Sequence, residues 1–228
     1  MQKVEQINNS ERLLTKEDFG SAEEEKERFQ QRVLAMQNKA EPIYIQFGCG
    51  PRPFSNFLNV DVKPLRLNPS HHQKMKISYE KMYKNIFYYP WLDSPLPIPD
   101  NCVDFVCHED MFEHLSQMQQ FLLLAEVKRI LKPKHFHRIN TPCLADSMRI
   151  HSEFSKGYEG VYQGEWKKWN HINLITRNIL DEMARIVGYS YVAFNSKNGS
   201  VSGVEFTENR PARDRDRITG NVFADLMK

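Results

Sequence analysis

Between Ile43 and Val62 an apolar stretch, Ile43 to Phe47, runs into Gly48-Cys49-Gly50, and a second one, Phe57 to Val62, carries Asp61 near its end. The order is strand, Gly-x-Gly turn, strand, carboxylate, and it is how a Rossmann-like sheet holds a nucleoside. The glycines let the backbone come close to the ligand, and the acid takes the ribose hydroxyls in a bidentate grip. A dinucleotide fingerprint needs a third glycine for close helix packing, and Pro53 stands there instead. That argues against a nicotinamide cofactor. The link from Gly50 to Asp61 is also short for a helical crossover, which takes a dozen or more residues. Only a single helical turn fits.

The remaining chain alternates between two periods. Ser21 and Glu24 form a capping box, Glu23 to Glu25 occupy the first turn, and Phe29, Val33 and Met36 follow at helical spacing. These predict an amphipathic helix that ends before Pro42. Tyr79, Met82, Tyr83 and Ile86 fit a short helical face, and Ile86 to Tyr89 reads as a third strand. Pro90, Pro95, Pro97 and Pro99 make a stiff extended loop. Val103 to Cys107 is a fourth, apolar strand of the kind buried on both faces. Leu123, Val127, Ile130 and Leu131 mark a helix from about residue 115 to 131, stopped near Pro133. His135 to Asn140 reads as a fifth strand. Thr176 caps a helix with Ile179, Leu180, Met183 and Val187 inward and Gly188 closing it. Tyr191 to Phe194 and Asn221 to Met227 read as two closing strands. This alternation predicts an α/β fold, a mostly parallel central sheet with helices on both faces and an antiparallel last strand. Its ligand crevice lies at the carboxyl ends of the strands. Residues 1–40 form a polar leader and the amphipathic helix, 41–228 the main domain, and 144–170 an insertion without a steady period.

Composition excludes several classes. The 228 residues carry a formal charge of only +2, so nothing pulls the chain toward nucleic acid or a membrane surface. No apolar run approaches the ~20 residues that cross a bilayer. Cys49, Cys102, Cys107 and Cys143 have neither zinc nor C-x-x-C spacing, and they read as reduced thiols of a cytoplasmic protein.

The motifs then resemble a known family in order. Phe47-Gly48-Cys49-Gly50-Pro51 is similar to the first motif of the class I S-adenosylmethionine (SAM)-dependent methyltransferases, in the type 11 methyltransferase domain group. Leu58-Asn59-Val60-Asp61 is similar to its second. Leu96 to Asn101 followed by Val103-Asp104-Phe105-Val106 resembles its "LPF-D-x-S-FD-h-V" stretch, and Phe112-Glu113-His114-Leu115 its "LEHL". Ala125 to Pro133 resembles "E-h-x-R-h-L-K-P-G-G". His171 to Thr176, with Gly188-Tyr189, resembles "H-x-x-x-h-T…aGF". The resemblance covers about 43–228, with 63–85 and 144–170 unmatched. Gln46 stands where the family has an acid, Lys134-His135 where it has two glycines, Trp91 where an acid often precedes "LPF", and Asp110 where His is frequent. Without glycine, the turn at Lys134 needs another geometry.

The resemblance implies Rossmann-like methyl transfer from SAM to an oxygen, or less readily a nitrogen or carbon, of a small-molecule or glycan-type acceptor. It places the cofactor at Gln46, Phe47, Gly48, Cys49, Gly50, Asp61, Val62, Trp91, Leu92, the His108 backbone and Glu109. Asp110 or His114 is the candidate general base. Other readings stay open at this level. Trp91 is an adenine platform or a core plug, and His114 is a base or a residue that fixes the next helix. His135 and His137 form a possible metal pair but lack a third ligand, so no metal is expected. Trp166, Trp169, His171 and Tyr162 belong to an acceptor lid or to structural packing. The rival function is a SAM- or nucleotide-binding module without catalysis. Oligomeric state is not encoded in these patterns.

Overall fold

The computed structural model describes residues 19–50, 52–62, 84–147, 166–167, 169–209 and 221–228. The helical face at Tyr79, Met82 and Tyr83, most of the insertion and the leader before residue 19 lie outside them. Seven strands form one sheet: β1 (Tyr44–Phe47), β2 (Leu58–Asp61), β3 (Ile86–Tyr88), β4 (Val103–Glu109), β5 (Leu131–Pro142), β6 (Tyr191–Phe194) and β7 (Asn221–Met227). Their order is β3-β2-β1-β4-β5-β7-β6. Strands β1 to β5 pair in parallel, and β7 runs antiparallel to both β5 and β6. The expected mostly parallel sheet with an antiparallel last strand is present.

Three helices, α1 (Ala22–Asn38), α2 (Gln117–Ile130) and α3 (Arg177–Val187), bury their apolar residues in one continuous core on one face of the sheet. α1 opens with the Ser21/Glu24 capping box and buries Phe29, Val33 and Met36 as its spacing predicts. It also covers the outer edge of β3. Glu25 accepts from the Tyr88 backbone N–H at 3.3 Å, and Arg28 donates to the Ile86 carbonyl. An uncovered edge strand is a template for aggregation, and α1 removes it. α2 starts at a second capping box, Ser116 with Gln119, and passes directly into β5. In α3, Leu180, Met183 and Ala184 are buried, but Ile179 faces solvent, contrary to its periodic position. Gly188 closes this helix in the left-handed region at φ 92°.

The opposite face is covered without a long helix among the described residues. Phe54 and Phe57, from the link between β1 and β2, pack with Phe105 and Cys107, and Val204 and Phe206 close over them. These last two belong to the segment from residue 195 to 209, which folds back over the sheet between β6 and β7 as a strap. Its anchor is ionic. Arg138 on β5 is fully buried and donates to Glu208 at 3.0 and 3.1 Å, to Asp225 at 3.3 Å and to the Ser196 carbonyl at 2.8 Å. Lys134 corrects one expectation. Instead of a turn of another geometry, a left-handed φ of 65° falls on this lysine inside β5, where the register with β4 shifts. That strain costs about 1–2 kcal/mol, offset in part by the Lys134 N–H donating to the Lys228 carbonyl at 3.1 Å.

Removing Arg138 strands Glu208 and Asp225 as buried carboxylates. Arg138→Met is expected to cost on the order of 3–5 kcal/mol in urea unfolding and to speed backbone hydrogen exchange in residues 198–209. An unchanged urea midpoint would contradict this account of the strap.

Candidate functional site

β1 and β4 are parallel neighbours, with Phe47 in register with His108, so the turns that follow them share the carboxyl edge of the sheet. Gly48 sits at φ 61° and Gly50 at φ 49°, the left-handed region that glycine enters without strain. A Cβ at Gly48 would lie 2.4 Å from the Met111 Cγ and 2.8 Å from its Cβ. The turn after β4 therefore packs directly on the glycine turn. Asp61 ends β2 beside both. Its carboxylate accepts from the Gly50 N–H and from the Val62 N–H, each at 2.7 Å, which ties the glycine turn to the strand end. Cys49 is buried, and burial, followed by the Asp61 charge, pushes its thiol well up, so it is not a nucleophile.

Gln46 explains its own departure from an acid. Its Oε1 accepts from the Phe54 N–H at 2.9 Å and its Nε2 donates to the Arg52 carbonyl at 3.3 Å. A carboxylate could not donate the second bond. Its sheet partner Asn59 grips the same link, accepting from the Phe54 N–H at 2.8 Å and donating to the Phe54 and Phe57 carbonyls at 2.9 and 2.8 Å. Gln46 is thus a buried brace beneath the turn.

The proline loop brings Trp91 against Phe47, with ring centroids 4.4 Å apart and the indole 5% exposed. That is the position of a core plug. Leu92 is only partly buried, and Val62 is exposed at the end of β2. The His108 ring points into the core, stacked on Phe112 and 5.0 Å from the His137 ring. Only its backbone belongs to the edge. Burial lowers the ring's pKa to about 3, so it is neutral. Glu109 points to the other face. It accepts from the Asn209 N–H at 2.9 and 3.0 Å and from Asn140 at 3.2 Å, and burial raises its pKa to about 7.

The two base candidates lie on the turn after Glu109. Asp110 adopts φ 49° and donates its N–H to the Asn140 carbonyl at 2.9 Å. His114 ends the 3-10 turn Phe112–His114, with Nδ1 3.2 Å from the Asn170 carbonyl and its ring 5.0 Å from His171. Burial first, then His171, lowers its pKa, so the neutral imidazole prevails at pH 7. Glu113, completely buried on the same turn, was not singled out by the pattern beyond its place in a motif. Its Oε2 accepts from the Thr141 hydroxyl at 2.9 Å and its Oε1 lies 3.7 Å from His171 Nε2. The fold brings His171, a residue of the expected lid or packing segment, beside Glu113 and His114. An adjacent Glu-His pair directly after a central strand is the signal that marks this cluster. His135 pairs with Asp104 and His137 with Tyr189, so these two histidines have separate structural tasks.

Comparison with known proteins agrees with this geometry. A family described as a methyltransferase domain matches residues 45–137. A SAM-dependent methyltransferase from Archaeoglobus fulgidus aligns over 92% of this chain and 95% of its own, at 15% identity and a TM-score of 0.52. A chain of the Haloferax volcanii complex between the Trm112 methyltransferase activator and a methyltransferase aligns over 91% and 97%, at 16% identity and a TM-score of 0.51. These two likenesses establish the fold. No curated protein matches the sequence.

The His108 ring makes acid stability depend on this strand. Its folded pKa of about 3 lies below the ordinary 6.5, so the unfolded chain binds the extra proton. Stability is present above pH 6.5 and is lost as pH falls toward 3, with a slope near 1.4 kcal/mol per pH unit for one proton. His108→Phe is expected to flatten that limb in denaturant unfolding measured across pH. An identical slope in the variant would contradict the assignment.

Proposed function

We propose that this chain, whose residues 45–137 match a methyltransferase domain, is a SAM-dependent methyltransferase that transfers a methyl group to an oxygen of a small-molecule or glycan-type acceptor. Nitrogen and carbon acceptors rank behind. The observation that carries the reading is the shared edge: the Gly48–Gly50 turn, Asp61 and the turn from Asp110 to His114 meet there, with Met111 packed on Gly48. The residues fit the cofactor. Two glycines in left-handed geometry leave the backbone bare, and Asp61 offers a carboxylate at the strand end beside them.

Phe47, Cys49, Gly50, Val62, Leu92 and the His108 backbone would complete the cofactor's surroundings, with Gln46 acting from below. SAM, when bound, supplies an already electrophilic methyl on a sulfonium, so the acceptor needs alignment and exclusion of water more than activation. Asp110 or His114 would take the proton of a poorly acidic hydroxyl, His114 at Nε2 because Nδ1 faces the Asn170 carbonyl. Gln46 and Lys134, the departures that favoured a module without catalysis, both have structural reasons and so lend it no weight. A modest net charge supports an acceptor other than nucleic acid, and the cysteine pattern supports a cytoplasmic address. No helix among the described residues is long and apolar enough to cross a membrane.

Calorimetry with SAM, S-adenosylhomocysteine and NAD tests the cofactor. Binding of the first two and not NAD is expected, and binding of neither SAM nor its product would sink the reading. Asp61→Ala is expected to lower SAM affinity at least about tenfold, or about 1.4 kcal/mol, with the thermal melt checking that the turn still folds. Affinity that survives the substitution would remove the ribose role. Methylation of a hydroxylated acceptor separates an enzyme from a binding module.

A further inference from the structure

We infer that Glu113, His114 and His171 form a site for one divalent transition-metal ion, open on one side to the acceptor. One ligand atom from each residue lies within 4.8 Å of the other two, and the closest carboxylate–imidazole pair is already at 3.7 Å. Ligand atoms about 2.0–2.2 Å from a common ion stand somewhat closer than this to one another, so side-chain rotation alone closes the set. Two imidazoles and one carboxylate suit zinc, iron, cobalt or manganese better than calcium or magnesium.

The positioning around the cluster supports a built site. A ligating histidine ordinarily donates its second ring nitrogen to a carbonyl, which fixes the tautomer. His114 Nδ1 lies 3.2 Å from the Asn170 carbonyl, which directs Nε2 to the cluster. Glu113 is aimed by Thr141, whose hydroxyl donates to Oε2 at 2.9 Å and leaves Oε1 toward His171. The two ligand-bearing segments are also stapled. The N–H groups of Ile172 and Asn173 donate to the Glu113 carbonyl at 2.8 and 3.0 Å. Buried Gln120 donates to the Phe112 carbonyl at 2.8 Å and accepts from the Asn173 side chain at 2.9 Å. Residues 57 positions apart in the chain are therefore held side by side, with His114 exposed at the outer side of the cluster.

This inference deepens the reading of the same edge as an acceptor site, and it rests on that reading for the ion's use. Three protein ligands leave further positions of the ion free, and the exposed His114 side places them toward solvent next to the turn that packs on Gly48. Two adjacent oxygens of an acceptor, as in a vicinal diol of a glycan, would fill them as a chelate. That would fix which hydroxyl faces the glycine turn. His114 Nε2 would then be a ligand, leaving Asp110 as the base candidate.

The test titrates the full-length, chelator-stripped protein with Co2+ and Zn2+, following the cobalt d–d absorption and the heat of zinc binding. Stoichiometric binding is expected, with cobalt absorption typical of nitrogen and oxygen ligands. His171→Ala and Glu113→Gln should each weaken it at least about tenfold, while His135→Asn, outside the cluster, leaves it unchanged. Thermal melts of each variant, together with the double variant His114→Ala/His171→Ala, control for loss of fold. Absent binding, or binding equally tight in a folded His171→Ala protein, overturns the site. SAM binding without metal binding overturns this inference alone. Metal binding without SAM binding supports the site and sinks the methyl-transfer reading.

Discussion

The Phe54 N–H is shared by two buried side-chain oxygens, Gln46 Oε1 at 2.9 Å and Asn59 Oδ1 at 2.8 Å, and the glycine turn depends on that grip. The link between β1 and β2 is too short for a helix that would satisfy its own backbone groups. Those groups lie under the hydrophobic cluster of Phe54, Phe57 and Phe206, where an unpaired amide or carbonyl costs about 1–3 kcal/mol. Gln46 and Asn59 are opposite each other in the parallel ladder, and between them they bond the Arg52, Phe54 and Phe57 backbone. Each amide uses both its donor and its acceptor, which a carboxylate at position 46 could not do. The short link therefore stays rigid, and Gly50 is presented to Asp61 at 2.7 Å.

A face without a long crossover helix needs another cover, and the strap supplies it. Val204 and Phe206 contribute the apolar contact, and Arg138 with Glu208 and Asp225 contributes the attachment. A buried ion pair is weak evidence for stability in itself, because desolvation opposes the Coulomb gain. Here it has a positional consequence. Asn209, one residue past Glu208, donates its N–H to Glu109 at the end of β4, and Arg52 on the short link donates to the Asn209 carbonyl at 3.3 Å. The strap thus locks β4's carboxyl end to the glycine turn. Burial pushes the Glu109 carboxyl up to about 7, a cost sustained by four hydrogen bonds from Asn209 and Asn140.

Much of the fold is legible along the sequence because its signals are local. The Ser21–Glu24 box, the Phe29–Val33–Met36 stripe and Thr176 with Gly188 place two helices without tertiary information. Apolar or alternating runs place all seven strands, with β4 extending to polar Glu109 and β5 running from Leu131 to Pro142, beyond the His135–Asn140 run at both ends. Ile179 misleads because helical period places it inward, while the helix turns that face to solvent. In the site, the glycine turn and Asp61 are legible for the same local reason. Glu113, His171 and Arg138 are not, because each acquires its meaning from partners 28 to 87 positions away. Polar residues in apolar strands announce burial, but their partner comes only from topology.

The two halves of the edge are built on opposite principles, and the difference bears on what each can do. Around Gly48, Gly50 and Asp61 the glycine conformations leave the backbone bare, and the Asp61 carboxylate ties the turn to the strand end. Such a surface suits a constant ligand recognised by shape and two hydroxyls. Around Asp110, Glu113, His114 and His171 the groups are titratable, His114 is exposed, and Glu113 and His114 are aimed by the Thr141 hydroxyl and the Asn170 carbonyl. Such a surface suits a ligand whose protons and orientation must be controlled. Met111 joins them, since its side chain fills the space that any Cβ at Gly48 would take. A side chain added at Gly48 therefore displaces Met111, and with it the turn from Asp110 to His114.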